Sequence, residues 1–263
     1  MRGGPGMGLF DKLFEKKECA ICGGEIGLLG NRKLEDGNMC KKCAEKLSPW
    51  FTDRKESTVA EIQEQLAYRE ANKEKVAAFN VTRILGEDKK IYLDEDKMQF
   101  FVTSAKDWKE ANPDVLDFTQ VTGVDLDTTE SRSEEKRQTP NGEWVSYNPP
   151  RYTYRYDFDI AIMVNHPYFE CMKFELNRSS VEVEETGRRG MFSGSSMNHP
   201  RIREYEEMGQ EVKRILTEAR QAGRDAAAAA AAPKQAVNCP WCGATTTPTA
   251  NGCCEYCGGS LNE

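Results

Sequence analysis

Histidine is almost missing from this sequence, which holds two, His166 and His199, in 263 residues. Each stands beside a proline, where a turn or loop is expected. A Ser-His-Asp or Cys-His constellation would need one of them set against a nucleophile, so the expectation is a pair of exposed turn histidines and no hydrolase site. The lysine-bearing phosphate loop, the G-x-S-x-G elbow and the H-E-x-x-H helix are missing too. Together these absences predict a protein that is not an enzyme, with no small-molecule substrate evident. Long apolar runs are also lacking. The longest mixed one, Ile160 to Val164, is far short of the roughly 20 residues that span a bilayer. No basic stretch followed by an apolar run and a small-residue cleavage site opens the chain, and a cytoplasmic location is expected. Basic clusters are scarce. The formal charge is −7, and residues 84–200 carry most of it, with 14 Lys and Arg against 22 Asp and Glu. Non-specific nucleic-acid affinity needs clustered cations to release counterions, so nucleic acid is disfavoured as a partner.

Cysteine, by contrast, is plentiful: ten residues, eight of them in two quartets. Cys19 and Cys22 are followed after 17 residues by Cys40 and Cys43; Cys239 and Cys242 are followed after 11 by Cys254 and Cys257. Two residues between paired cysteines let one tight turn aim both sulfurs at a point, and two such turns complete a tetrahedron around a Zn²⁺ ion. Glycines follow three of the four pairs, at Gly23, Gly243 and Gly258, where a positive φ turns amide N–H groups toward the thiolates. Two structural zinc sites, each of four cysteines, are therefore expected. A rubredoxin-like iron centre uses the same donors, so the ligands alone do not choose the metal. Zinc is favoured because no redox partner domain is visible. Cys254, not Cys253, has the two-residue spacing to Cys257 and is assigned as the ligand, leaving Cys253 a spare thiol. Cys171 reads as a small core residue. A closed four-thiolate shell leaves no position for water or substrate, so both metals are expected to be structural and needed for folding.

Between the quartets the hydrophobic period changes twice. Thr58-x-x-Glu61 is a capping-box signature opening a helix to about Phe79, with Val59, Ile62, Leu66, Val76 and Phe79 as a discontinuous apolar stripe. From Ile84 the period is two: Ile91–Leu93 and Met98–Val102 form a hairpin around a solvated Asp94–Lys97 tip, and Val115–Phe118 and Val121–Leu126 follow. Tyr152, Tyr154, Tyr156, Phe158, Ile160, Ile162 and Val164 alternate without interruption and predict a long strand with one buried face. Residues 168–176 and 181–183 add strands. A Gly/Ser loop over 187–198 carries Arg188, Arg189, Met191 and Phe192, and Ile202 to Ala219 predict an amphipathic helix. Seven alanines, Ala226 to Ala232, lead to the last quartet.

The fold expected is α+β, an antiparallel sheet closed by a C-terminal helix and flanked by two small four-cysteine zinc modules. Its boundaries are 1–54 for the first metal module, 55–83 for a spacer helix, 84–223 for the α+β domain, 224–236 for an Ala-rich linker and 237–263 for a zinc ribbon. The segment CAICGGEIGLLGNRKLEDGNMCKKC with the LAYREANKEKVAAFN helix resembles an uncharacterised bacterial family that opens with a four-cysteine zinc-binding domain. The central strands and final helix resemble bacterial pleckstrin-homology-like domains, and CPWCGA with CEYCGG resembles a two-knuckle zinc ribbon. These resemblances imply zinc binding and an α+β neighbour, and no activity. The expected function is a scaffold or adaptor that binds a protein partner. Two alternatives stand: a zinc-ribbon nucleic-acid binder using Trp241 and Tyr256, and a protein recruited to membrane surfaces through residues 8–17, where Leu9, Phe10, Leu13 and Phe14 share a helical face with lysines alongside.

Overall fold

The unbroken alternation from Tyr152 to Val164 forces one face of that segment into a core. In the structure, a computed structural model describing residues 17–184, 199–231, 236–249 and 251–261, that segment is the central strand. Residues 8–16, Arg188, Arg189, Met191 and Phe192 lie outside the described residues. The chain divides between Arg220 and Gln221 into two compact units.

The first unit opens with two short hairpins, β1 (Lys17–Glu18) with β2 (Glu25–Ile26) and β3 (Asn31–Lys33) with β4 (Asn38–Cys40), followed by the one-turn helix α1 (Lys41–Ala44). Helix α2 (Val59–Ala78) starts at the expected capping box: the Glu61 N–H donates to Thr58 Oγ1 at 3.3 Å, and the Thr58 N–H donates to Glu61 Oε2 at 2.7 Å. Leu34, Met39, Leu47 and Ile62 form a small core beneath the first two cysteine pairs. The buried stripe of α2 is Ile62, Gln65, Arg69, Asn72 and Val76, residues spaced three or four apart on one face. Its middle is polar.

Strands β5 (Arg83–Leu85), β6 (Lys90–Asp94) and β7 (Gln99–Thr103), the short helix α3 (Trp108–Ala111) and strand β8 (Leu116–Asp117) come next; the four strands form an antiparallel sheet in chain order. A second antiparallel sheet contains β9 (Val121–Gln138), β10 (Trp144–Val164), β11 (Cys171–Glu175) and β12 (Val181–Glu184). One edge of β10 pairs along nearly its whole length with β9; the other is shared in succession by β11, opposite residues 159–163, and β12, opposite residues 153–156. Where the edge passes between them, Leu176 N–H donates to Phe158 O at 2.8 Å and Phe158 N–H donates to the buried Asn177 Oδ1 at 2.7 Å, so no backbone group of Phe158 is orphaned. Helix α4 (Pro200–Ala231) continues into the alanine run.

Tyr156, Phe158, Ile160 and Ile162 of β10 meet Phe100, Val102 and Leu116 of the first sheet and Ile202, Tyr205, Val212 and Leu216 of α4 in one core. Burying a side chain such as Phe158 or Ile160 contributes about 1.5–3 kcal/mol. Tyr92 and Phe101 point to the opposite face of the first sheet and pack with Val76 and Phe79 at the end of α2. That sheet is therefore buried on both faces.

Four expectations change. Strand β9 runs twelve residues beyond the expected Leu126, to Gln138; its outer part is polar on both faces and is held by pairing with β10. Asp94 is buried, not solvated: it accepts from Asn80 N–H at 2.8 Å and Lys97 N–H at 3.0 Å, tying the chain after α2 to the hairpin, while Glu95 and Asp96 are exposed. Cys171 is exposed because the inward residues of β11 are Met172 and Phe174. His166 is half-buried, stacked on Phe169 at 4.1 Å between centroids. No helix among the described residues is long and apolar enough to cross a membrane.

In the second unit, β13 (Val237–Asn238) and β14 (Thr245–Thr246) pair antiparallel, and Cys253 bridges to Ser260.

Candidate metal centres

The sulfur atoms of Cys19, Cys22, Cys40 and Cys43 lie within 4.8 Å of one another, and so do those of Cys239, Cys242, Cys254 and Cys257. A tetrahedron with metal–sulfur bonds of about 2.3 Å sets its sulfurs about 3.8 Å apart. The separations found are 3.9 Å for Cys22–Cys40, 3.6 Å for Cys239–Cys257 and 3.7 Å for Cys242–Cys254. The donor sets fit a four-thiolate metal ion, with every position filled by protein. Cys253 stays outside, its Sγ 3.7 Å from Asn251 O.

Three of the four pairs are built alike. Cys19 N–H donates to Gly24 O and Gly23 N–H to Cys19 O; Cys239 with Ala244 and Gly243, and Cys254 with Gly259 and Gly258, repeat this pattern, all at 2.8–2.9 Å. The turn closes only with a positive φ after the second cysteine, and Gly23, Gly243 and Gly258 have φ of 69°, 71° and 73°. The pair Cys40 and Cys43 uses a different device and needs no glycine: Cys40 is the N-cap of α1, and its sulfur accepts from the Cys43 N–H at 3.4 Å.

The field inside each quartet is uneven. Burial opposes ionisation of Cys19, but the amides of Cys40, Cys22 and Ile21 outweigh it and bring its pKa to about 6. Cys43 moves the other way, raised first by burial and then by its hydrogen bonds with the other three cysteines. In the second quartet the amides of Cys257 and Tyr256 overcome burial to bring Cys254 to about 7. The Gly259 amide draws Cys257 down, yet its contact with Cys242 and burial push it up to about 12. Cys19 in one quartet and Cys254 in the other are thus the cysteines whose ionisation the surrounding amides favour.

What the sequence did not announce is how the first quartet is fastened. Arg69 Nη1 lies 2.8 Å from Asp114 Oδ1, and Arg69 Nε donates to Lys46 O at 3.2 Å. Ser48 Oγ donates to Asp114 Oδ2 at 2.7 Å. Asn72 Nδ2 donates to Asn112 Oδ1 and Pro113 O, Asn72 Oδ1 accepts from Val115 N–H, and Asn112 Nδ2 donates to Arg69 O. Residues just after Cys43, the middle of α2 and the turn before β8 are joined by one buried polar network. The only signal in the sequence was three polar residues, Gln65, Arg69 and Asn72, in register with Ile62 and Val76.

A cleft of about 770 Å³ lies beside this network, lined by Trp50, Phe51, Glu64, His166, Tyr168 and Cys171 among others. His166 and Cys171 share it without a hydrogen bond between them; His166 Nδ1 instead accepts from Tyr168 N–H at 3.3 Å. Burial lowers the His166 pKa, with Asp114 opposing that shift and Lys75 adding to it. A nucleophile–base pair is not assembled there.

Residues 17–65 match a family described as a domain of unknown function, DUF4428. The match covers the first quartet and the beginning of α2. No curated protein and no solved structure matches the chain.

Proposed function

We propose that this chain is a non-enzymatic scaffold of the bacterial cytoplasm, in which two structural zinc ions fix small modules that dock on a protein partner. The observation that carries this reading is that each saturated thiolate quartet displays large apolar side chains to solvent. Leu28 and Leu29 are 80% and 88% exposed in the loop between β2 and β3; Trp241 and Tyr256 are 73% and 72% exposed, each between the two cysteines of a pair. A four-thiolate ion offers no catalytic position, so its contribution is to make these presentations rigid. The two four-stranded antiparallel sheets and α4 support a pleckstrin-homology-like reading of residues 84–223.

The test is cross-linking in living cells with the full chain. Leu28→Asp with Leu29→Asp, and separately Trp241→Asp, are expected to abolish a specific cross-linked species while elemental analysis still gives two zinc ions per chain. Unchanged cross-linking in both variants overturns the scaffold reading, and iron in place of zinc overturns the metal assignment.

The exposed rings of Trp241 and Tyr256 favour one other reading, stacking on single-stranded bases. Residues 221–263 hold only Arg224 and Lys234 against Asp225, Glu255 and Glu263, which supplies little phosphate attraction. Salt-sensitive retention on heparin would favour it over the scaffold.

A further inference from the structure

We propose that the outer edge of β9 pairs antiparallel with the same edge of a second copy of this chain, joining two sheets into one across a twofold axis at Ser133. Among the described residues β9 pairs only with β10, so its second edge presents a row of backbone N–H and C=O groups from Asp127 to Gln138. Residues 129–134 and 136–138 are exposed. A long open edge of this kind is a template for another strand.

The charge pattern selects both partner and register. When a strand pairs with its own copy along the same edge, residues of like parity must face each other, because backbone groups reach that edge at every second residue. The axis therefore passes through a residue. An axis at Arg132 sets that arginine against itself and Glu130 against Glu134. An axis at Glu134 sets Glu134 against itself and Arg132 against Lys136. An axis at Ser131 sets Arg132 against Glu130 but also Asp127 against Glu135, and one at Glu135 sets Lys136 against Glu134 but that carboxylate against its own copy, so each carries a repulsive pair. With the axis at Ser133, Arg132 faces Glu134 and Glu130 faces Lys136, each twice by symmetry, and the small Ser133 faces itself. Opposite charges directly across two strands stabilise a pairing and like charges oppose it, so one register is favoured among its neighbours. The strand is self-complementary there, as an isologous twofold interface requires.

Arg132, Glu134, Lys136 and Arg137 take no part in the ion pairs formed among the described residues. The Arg132 guanidinium lies 4.3 Å from the ring centre of Tyr152 and Glu130 accepts from Tyr156 O–H at 2.7 Å, which holds both at the strand surface.

Sedimentation velocity of the full, metal-replete chain over a concentration series is expected to show a monomer–dimer equilibrium. Arg132→Glu places like charges opposite each other twice and weakens dimerisation about tenfold or more, as does Glu134→Arg. The double exchange Arg132→Glu/Glu134→Arg recreates the pairs with signs reversed and restores the dissociation constant to within about threefold. Circular dichroism of all variants stays that of the parent, since these positions are exposed. In a mixture of isotopically light and heavy chains, zero-length carbodiimide coupling joins Lys136 of one to Glu130 of the other. A monomer at every concentration, a dimer indifferent to both single variants, or a double variant no better than the singles overturns the proposal.

Discussion

Arg69 and Asp114 meet 2.8 Å apart inside the first unit, with side chains 8% and 0% exposed. They are 45 residues apart in sequence, one in the middle of α2 and the other in the turn before β8. Water has been removed from both, so removing one leaves the other charged in a poor medium. The carboxylate is also the acceptor for Ser48, a few residues after Cys43. The pair is therefore the rivet between the first cysteine module and the sheets.

Asp114→Ala leaves the Arg69 guanidinium and the Ser48 hydroxyl without their acceptor. The expected loss is about 3–5 kcal/mol of unfolding free energy, read from urea transitions of the metal-replete protein. A loss below about 1 kcal/mol would mean that the ion pair is solvated in solution.

Metal content follows the quartets. Cys22→Ser or Cys254→Ser is expected to lower the metal per chain from two ions to one, while Cys253→Ser and Cys171→Ser leave two, as measured by elemental analysis of the purified variants. Cys22→Ser also lowers the thermal midpoint of the first unit, because disorder of its module releases Lys46 O and Ser48 from Arg69 and Asp114. An unchanged midpoint would separate the module from the network.

Helix α4 crosses β9 at Gly209, where an added Cβ would fall 2.5 and 2.7 Å from the two δ-carbons of Leu126. Replacing glycine by alanine inside a helix stabilises by about 1 kcal/mol on propensity alone, whereas overpacking costs about 1–3 kcal/mol. Gly209→Ala is thus expected to destabilise the parent, and to stabilise the Leu126→Ala background, where the obstructing carbons are gone. The sign reversal in denaturant melts is the measurement, and stabilisation in both backgrounds would show that Leu126 swings aside freely.

Burial holds the His166 pKa below its ordinary 6.5 in the folded chain. The unfolded chain then binds more protons below that pH, so the stability associated with a neutral His166 is complete above about 6.5 and declines as pH falls. His166→Gln removes this slope. Thermal midpoints of parent and variant should run parallel above about pH 7 and draw together below about 6.5; parallel lines throughout would show an imidazole free to ionise.

The parts of this molecule legible in its sequence are those whose cause is local. The capping residues Thr58 and Glu61 act over one turn, the cysteine pairs over a few residues, and the Tyr152–Val164 alternation within a single strand. Strand β9 was legible only as far as Leu126, because beyond it neither face is buried and nothing in its own apolar pattern marks it as extended; the cause is β10. The burial of Arg69 and Asn72 has no local cause, since the groups that satisfy them arrive largely from residues 112–115. Asp94 was hidden in the same way, its amide partners being at Asn80 and Lys97. Cys171 was misplaced by one step of a period-two pattern, which exchanges inside for outside.

The three glycine turns carry one last consequence. Each sets its two sulfurs through hydrogen bonds closed within a handful of consecutive residues, so a pair needs no distant part of the chain to take shape. Half of each donor set would therefore be shaped as soon as one such turn emerges from synthesis, and the later pair would complete it. Assembly of both ends would in that case begin with these local turns and be finished by packing.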